Sequence, residues 1–269
     1  MIGDIGGGPR ELLRPVRLFV LDMDGTFYLD DHIIPGSLDF IQRARDTGRS
    51  VLFFTNNSSR APETYMERLA GMGCPITREQ IMTSGDVTIR FLNTRRPGKT
   101  VYLMGTEALR RSFAEAGVPL VEDAQPDIVV AAFDTELTYR KLERACSCLR
   151  DGAEFLATHP DINCPTAHGF IPDCGAFCAA ITRSTGREPR YLGKPAPETV
   201  DMILSRTGFA REEVAFVGDR LYTDVAVGVN NGALGLLVLS GETRAEDIPS
   251  SPVQPHGVFR DLRELAEFL

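Results

Sequence analysis

The sequence lacks both a membrane-spanning segment and a basic patch. No apolar stretch approaches the ~20 consecutive residues that a helix needs to cross a bilayer. There is no run of lysine or arginine, and the formal net charge is −8, which argues against binding to nucleic acid. Residues Met1–Arg14 have no apolar core of the kind found in signal peptides. We therefore expect a cytoplasmic protein that acts on neither membranes nor nucleic acids.

The six cysteines all lie between residues 74 and 178. The six cysteines show no spacing typical of a disulfide framework, and a chain of 269 residues can bury a core without one. Cys174 and Cys178 are four residues apart in an apolar segment, whereas zinc ligands usually come in tighter pairs. We interpret them as buried thiols on one face of a helix.

Short apolar runs alternate with amphipathic stretches along the chain, a pattern typical of parallel α/β proteins. The pattern predicts strands at Arg17–Leu21, Ser50–Thr55, Val214–Val217 and Gly235–Leu239, and helices at Gly36–Thr47, Ala61–Met72, Pro197–Gly208 and Thr223–Asn231. Because these strands are short and largely apolar, we expect them to be buried on both faces of a Rossmann-like, doubly wound parallel sheet.

The middle of the chain predicts a second α/β unit. Its predicted strands are Thr100–Met104, Asp127–Ala132 and Glu154–Thr158, and its clearest helix is Tyr139–Arg150. Gly, Ser and Pro cluster near Ser84 and Gly186–Pro189, which favours domain boundaries there. We therefore predict a core formed by residues 15–84 and 188–269, an inserted α/β domain at 85–187, and a flexible N-terminal tail at 1–14.

Two aspartates, Asp22 and Asp24, directly follow the first predicted strand. Side chains two residues apart in an extended chain point the same way, so both carboxylates can face one site. Like charges held that close raise one pKa unless a cation lies between them, which suits an ionised nucleophile and an acid–base group gathered around a metal. The alternative is a turn at Asp24-Gly25 that closes a hairpin.

Polar groups also follow two other predicted strands. Thr55, Asn56 and Asn57 offer neutral donors to anionic oxygens, although the same residue types favour a helix N-cap. Asp219 can give a hard oxygen to Mg²⁺, and Asp224 is either an N-cap or a residue that supports the site. Ligands of such sheets bind beyond the carboxyl ends of the strands, so we expect these groups to converge on one crevice.

Lysine is scarce, since only three of the 29 basic residues are lysines. One of them, Lys194, lies between glycine and proline in Gly193-Lys194-Pro195. A compact ammonium group can neutralise charge at a point where a guanidinium group would not fit. The alternative is a surface lysine in a turn.

Taken in order, these motifs resemble the haloacid dehalogenase superfamily, and the long insertion resembles its class IIA branch of NagD-like, 4-nitrophenyl, phosphoglycolate and pyridoxal phosphatases. The resemblance is carried by Asp22-Met23-Asp24-Gly25-Thr26, Thr55, Lys194, Gly218-Asp219 with Asp224, and the stretches 157–161 and 172–176. It covers roughly Val16 to Gly241 and implies a Rossmann-like core with an inserted α/β cap.

The resemblance implies roles for these residues. Asp22 would be the nucleophile that forms an aspartyl-phosphate, and Asp24 would protonate the leaving oxygen and then activate water. Mg²⁺ would be held by the Asp22 carboxylate, the Asp24 carbonyl and Asp219, with Asp224 and Thr26 in support, while Thr55, Asn56 and Lys194 would hold the phosphoryl oxygens. These assignments fit a reaction catalysed mainly by positioning and charge neutralisation.

The cap departs from the family pattern at His159, where the family commonly has Asn before Pro-Asp. The resemblance places His159 towards the leaving group of the substrate, where a titratable ring would alter substrate preference, with Asp161 in the same loop. The alternative is a solvent-facing loop histidine.

The resemblance implies a Mg²⁺-dependent phosphatase of small soluble phosphate monoesters, such as sugar phosphates or nucleoside monophosphates. A phosphotransferase or phosphomutase on the same core is an alternative. A non-catalytic regulator that binds a phosphometabolite is disfavoured, because Asp22, Asp24, Lys194 and Asp219 are all present. Whether the protein forms a homodimer is left open.

Overall fold

The computed structural model describes residues 8–166 and 169–269, which form two compact units. The core unit comprises residues 8–55, 66–82 and 199–269, and the cap unit comprises residues 56–65, 83–166 and 169–198. The division predicted from the sequence differs from these limits, since it places residues 56–65, 83–84 and 188–198 with the core. No helix in the described residues has the length and hydropathy needed to cross a bilayer.

The elements alternate along the chain. The strands are β1 Leu18–Leu21, β2 Tyr28–Leu29, β3 His32–Ile33, β4 Ser50–Thr55, β5 Ile81–Thr83, β6 Val101–Met104, β7 Ile128–Ala131, β8 Glu154–Ala157, β9 Asn163–Thr166, β10 Gly169–Pro172, β11 Arg190–Tyr191, β12 Val214–Gly218, β13 Leu234–Val238 and β14 Gly257–Phe259. The α-helices are α1 Pro9–Leu13, α2 Ser37–Asp46, α3 Pro62–Gly71, α4 Ser84–Arg95, α5 Glu107–Glu115, α6 Tyr139–Arg150, α7 Cys174–Thr185, α8 Pro197–Thr207, α9 Ala226–Val229 and α10 Leu262–Ala266.

The core unit contains a six-stranded sheet in the order β14-β13-β12-β1-β4-β5. All four residues of β1 are buried, and this strand pairs in parallel with β4 and β12. Leu21 at the end of β1 lies opposite Phe53 and Val217, so the three strands end at the same edge. An edge-to-face contact of 5.2 Å between the rings of Phe19 and Phe40 packs α2 onto β1. The predicted α/β class with a parallel sheet is confirmed.

The cap unit has its own parallel sheet in the order β11-β8-β7-β6. A buried cluster that includes Phe133, Phe155 and Ile181 lies between this sheet and the helices α6 and α7. Cys174 and Cys178 belong to the same cluster, which confirms their interpretation as buried thiols on a helix.

Some expectations about local structure were wrong. Pro9–Leu13 of the predicted flexible tail forms α1, because the side chain of Leu13 is fully buried, while residues 1–7 lie outside the described residues. The helix predicted at Thr223–Asn231 begins earlier, as a π-helical turn over Leu221–Val225 that continues into α9. The sequence pattern also missed α4 and the hairpin β9–β10, whose second strand is exposed along its whole length and so carries no apolar alternation.

Candidate active site

Three carboxylates converge at the carboxyl edge of the core sheet. Asp22 follows β1, Asp219 follows β12, and Asp224 lies in the π-helical turn after β12. Each offers an oxygen atom within 4.8 Å of an oxygen of the others. The backbone N–H of Asp22 donates to the carbonyl of Val217 at 2.9 Å, which extends the β1–β12 pairing up to the cluster. The parallel register therefore places these acids side by side.

Asp219 is held by its neighbours. Thr26 donates its hydroxyl to Oδ1 at 3.4 Å, and the backbone N–H of Glu242 donates to Oδ2 at 2.7 Å. Gly25 has a φ of +79°, and a Cβ at this position would lie 2.6 Å from Asp219 Oδ2. Only glycine combines that backbone conformation with so close an approach. The turn that was the alternative interpretation of Asp24-Gly25 is therefore part of the carboxylate site.

The electrostatics of this acidic cluster favour a cation. Burial, together with the charge of Asp224, raises the pKa of Asp219 to about 7. Three neighbouring carboxylates repel one another unless a positive charge lies among them, and their hard oxygen atoms are the ligands that Mg²⁺ prefers. The residues present thus fit a divalent cation. Asp224 is no N-cap of α9, because its Oδ2 accepts the N–H of Arg220 at 3.1 Å within the π-helical turn.

Asp24 lies in a different setting. Burial raises its pKa, while the charges of Arg68 and Arg220 oppose that rise. The hydroxyl of Tyr28 donates to Asp24 Oδ2 at 3.5 Å, and the Arg68 guanidinium group stacks 4.3 Å above the Tyr28 ring. A carboxyl group that resists ionisation is suited to act as a general acid. Sequence reasoning missed Tyr28 and Arg68, because neither belongs to a motif and Arg68 lies 40 positions from Tyr28.

The phosphate-binding candidates divide between the units. Thr55 is the last residue of β4 and is buried in the core unit. Asn56 and Lys194 are buried in the cap unit, where the Asn56 side chain binds both backbone groups of Lys194. Asn56 Oδ1 accepts the Lys194 N–H at 2.9 Å, and Asn56 Nδ2 donates to the Lys194 carbonyl at 3.0 Å and to Asp161 Oδ2 at 3.2 Å.

This geometry changes the interpretation of Asn56 and Asn57. A primary amide has two N–H donors, and both of those of Asn56 are used within the cap unit, so its side chain positions Lys194. Asn57 accepts from the N–H and hydroxyl of Ser59, at 3.0 and 2.7 Å, and closes a local turn. The helix that follows, α3, begins only at Pro62, so the alternative interpretation of these residues as a helix N-cap is wrong.

His159 is completely buried in the cap unit, so the alternative of a solvent-facing histidine is wrong. Its Nδ1 lies 3.4 Å from Asp161 Oδ2, and its Nε2 lies 3.4 Å from Asp173 Oδ1. Asp161 and Asp173 are themselves 5% and 3% exposed. The ring and the two carboxyl groups thus form a buried triad.

The chain is similar in sequence to known hydrolases along nearly its whole length. Residues 19–119 match the model of haloacid dehalogenase-like hydrolases, and residues 191–265 match a second, HAD-hydrolase-like model. An acid sugar phosphatase from Staphylococcus aureus is 34% identical over 252 residues, which cover 94% of this chain and 97% of that protein.

Solved structures show the same similarity. A 4-nitrophenylphosphatase from Thermotoga maritima is 44% identical, with a TM-score of 0.91 over 95% of this chain and 98% of that chain. A glycerol phosphate phosphatase from Mycobacterium tuberculosis, solved in complex with calcium, is 30% identical, with a TM-score of 0.88 over 94% of this chain and 76% of that chain.

Proposed function

The chain belongs to the haloacid dehalogenase-like hydrolases, and on that premise we propose that it is a Mg²⁺-dependent phosphatase of small phosphate monoesters. The observation that carries this proposal is the cluster of Asp22, Asp219 and Asp224 at the end of the central strands, beside an aspartic acid with a raised pKa. A nucleophile, an acid and a cation site are the groups that phosphoryl transfer through a carboxylate requires.

In the first step we assign the nucleophile to Asp22. One of its carboxylate oxygens attacks phosphorus, the bond from phosphorus to the leaving oxygen breaks, and Asp24 gives its proton to that oxygen. In the second step water attacks phosphorus, the bond to Asp22 breaks, and Asp24 takes the proton from water. The raised pKa of Asp24 supports this assignment, because the group must be protonated in one step and ionised in the next.

The cation site is assigned to the carboxylates of Asp22 and Asp219 and to the backbone carbonyl of Asp24, with Asp224 and Thr26 in support. When bound, Mg²⁺ supplies positive charge that offsets both the repulsion among the carboxylates and the charge on the phosphoryl oxygens. The calcium in the solved glycerol phosphate phosphatase shows that a relative takes a divalent cation. The Thr55 hydroxyl and the Lys194 ammonium group are assigned to the phosphoryl oxygens.

The substrate class follows from the relatives. They are named for sugar phosphate, nitrophenyl phosphate and glycerol phosphate, which are all small monoesters. We extend that class to this chain and take water as the phosphoryl acceptor. The location we propose is the cytoplasm, since none of the six cysteines, all of which lie in the described residues, forms a disulfide bond.

The direct test is release of inorganic phosphate from a panel of small phosphate esters, with Mg²⁺ and with a chelator. Wild type should release phosphate only with the metal, and Asp22→Asn should release none while keeping a native circular dichroism spectrum. Asp39→Asn is the matched control, because Asp39 is an exposed aspartate on α2. Release by Asp22→Asn at the wild-type rate would exclude the proposed nucleophile. Consumption of the ester only when a second alcohol is added, with formation of a new phosphate ester in place of inorganic phosphate, would identify a phosphotransferase.

A further inference from the structure

We propose that His159 is a positioning residue for Lys194, because the ring fixes the Asp161 carboxylate that orients Asn56 against the Lys194 backbone. The proposal rests on the phosphate-binding role assigned above to Lys194. In this proposal His159 affects substrate binding indirectly, through Asp161, Asn56 and Lys194.

The contacts form one continuous buried path. Asp161 Oδ2 lies 3.4 Å from His159 Nδ1, and the same oxygen accepts the Asn56 Nδ2 donor at 3.2 Å. Asn56 then binds both the N–H and the carbonyl of Lys194, at 2.9 and 3.0 Å. All four residues are at most 5% exposed, so water does not replace a contact that is lost.

The far side of the His159 ring is anchored by Asp173. The Asp173 side chain caps α7, and its backbone N–H donates to the carbonyl of Ile162 at 2.9 Å. The N–H of Gly175 donates to the carbonyl of Asp161 at 2.8 Å, so the loop after β8 is tied to the start of α7 through its backbone. Because the backbone is fixed independently, His159 controls mainly the orientation of the Asp161 side chain.

Charge explains why a histidine fits between these two acids. Burial lowers the pKa of His159, but the contacts with Asp161 and Asp173 outweigh it and raise the pKa to about 9. The Cys174 thiol also faces this cluster and donates to the Ala131 carbonyl at 3.5 Å. Burial raises the pKa of this thiol, but its contact with Cys178 and the charge of His159 outweigh burial and lower the pKa to about 7. An imidazolium ring donates from both nitrogens and carries the charge that two buried carboxylates need. An asparagine at this position could not supply that charge.

The test compares His159→Asn with Asp161→Asn, using inorganic phosphate as a competitive inhibitor of aryl phosphate hydrolysis. Both variants should raise the inhibition constant for phosphate and the KM by about tenfold, and the double variant should add little, because both changes break one path. His32→Asn is the matched control, since His32 is an exposed histidine on β3 of the core unit. A purely structural role would reduce the active fraction, and so lower kcat, while the inhibition constant for phosphate and the KM stay unchanged. That result overturns the proposal. Full additivity of the two substitutions in the double variant overturns it as well.

A second measurement needs no variant at position 159. Nitrogen NMR of the wild-type ring at pH 7.5 should show both imidazole nitrogens protonated, with the other three histidines assigned by substitution. A neutral ring overturns the proposal even if His159→Asn does not fold. If wild type releases phosphate from no ester, it is the proposed function that fails. If wild type is active and His159→Asn keeps the wild-type inhibition constant for phosphate, it is the proposed role of His159 that fails.

Discussion

At the scale of residues, identical carboxylic acids lie in surroundings that suit them to different tasks. Asp219 is buried beside Asp224, and burial and that charge raise its pKa to about 7. Asp24 is partly buried near Arg68 and Tyr28, and burial raises its pKa against the charge of the arginine. The neighbouring carboxylates make the surroundings of Asp219 suited to a cation, whereas Asp24 lies outside that cluster and its burial favours a proton. The motif spacing predicted divided roles for Asp22 and Asp24, but it gave no sign of Arg68, which acts on Asp24 from 44 positions away.

Asp219→Asn should abolish metal-dependent activity yet stabilise the metal-free protein. The folded pKa of Asp219 lies above its usual 3.8, so ionisation destabilises the fold as pH rises through about 7, and an amide removes that cost. At pH 8 with chelator, the variant should melt above wild type, by roughly 2–4 °C for each kcal/mol recovered. Added Mg²⁺ should raise the melting temperature of wild type and leave the variant unchanged.

Differential scanning calorimetry of wild type, Asp219→Asn and the surface control Asp39→Asn checks this prediction. A lower melting temperature for Asp219→Asn in chelator would mean that the hydrogen bonds from Thr26 and Glu242 outweigh the repulsion. Equal Mg²⁺ stabilisation of wild type and the variant would remove Asp219 from the cation site.

At the scale of elements, the strands that carry the site were predictable and the network behind Lys194 was not. β4 has the predicted bounds, and β1 and β12 each differ by one residue at one end, because short apolar runs between polar turns define buried strands. Asn56 and Lys194 are 138 positions apart, and nothing in either motif indicates that the amide binds the lysine backbone. Such a pairing depends on tertiary packing, which periodicity does not encode.

The connection from β11 to α8 should tolerate no side chain at Gly193. A Cβ there would lie 2.7 Å from Asn56 Oδ1 and 2.5 Å from the Thr158 carbonyl oxygen. Gly193→Ala should therefore displace Asn56 and Lys194 and lower kcat/KM on the order of 10²-fold, as misplacements near 1 Å do. Gly71→Ala is the control, because a Cβ at Gly71 meets no atom within 4 Å. Steady-state kinetics on both variants checks this, and equal kcat/KM values would contradict the packing argument.

At the scale of the whole molecule, the motifs were sufficient to predict the family. Their order along the chain predicted a haloacid dehalogenase-type phosphatase with a cap, and the similarity to phosphatases over 94–95% of the chain confirms that family and its fold. The residue-level interpretation of the cap was weaker. The resemblance placed His159 towards the leaving group, with a solvent-facing histidine as the alternative. The ring is instead completely buried, 3.4 Å from an oxygen of Asp173, which lies 14 positions away in the chain.

Global stability should depend on pH through His159. Its folded pKa of about 9 lies above the usual 6.5, so its contribution is complete below pH 6.5 and is lost as pH rises through 9. The stability of wild type relative to His159→Asn should therefore fall by about 3 kcal/mol between pH 6 and pH 10. Urea unfolding of both proteins across this range checks the sign, and a difference that grows with pH would contradict the charged triad.

The most direct test of phosphoryl transfer to Asp22 is acid quenching of Asp24→Asn during its reaction with an aryl phosphate, followed by peptide mass spectrometry. An aryl leaving group departs without an acid, whereas release of the phosphoryl group from Asp22 needs Asp24 as base. We therefore predict that the variant accumulates one phosphoryl group on the peptide that contains Asp22. Continued turnover with no modified peptide, or a phosphoryl group on any other residue, would contradict the mechanism.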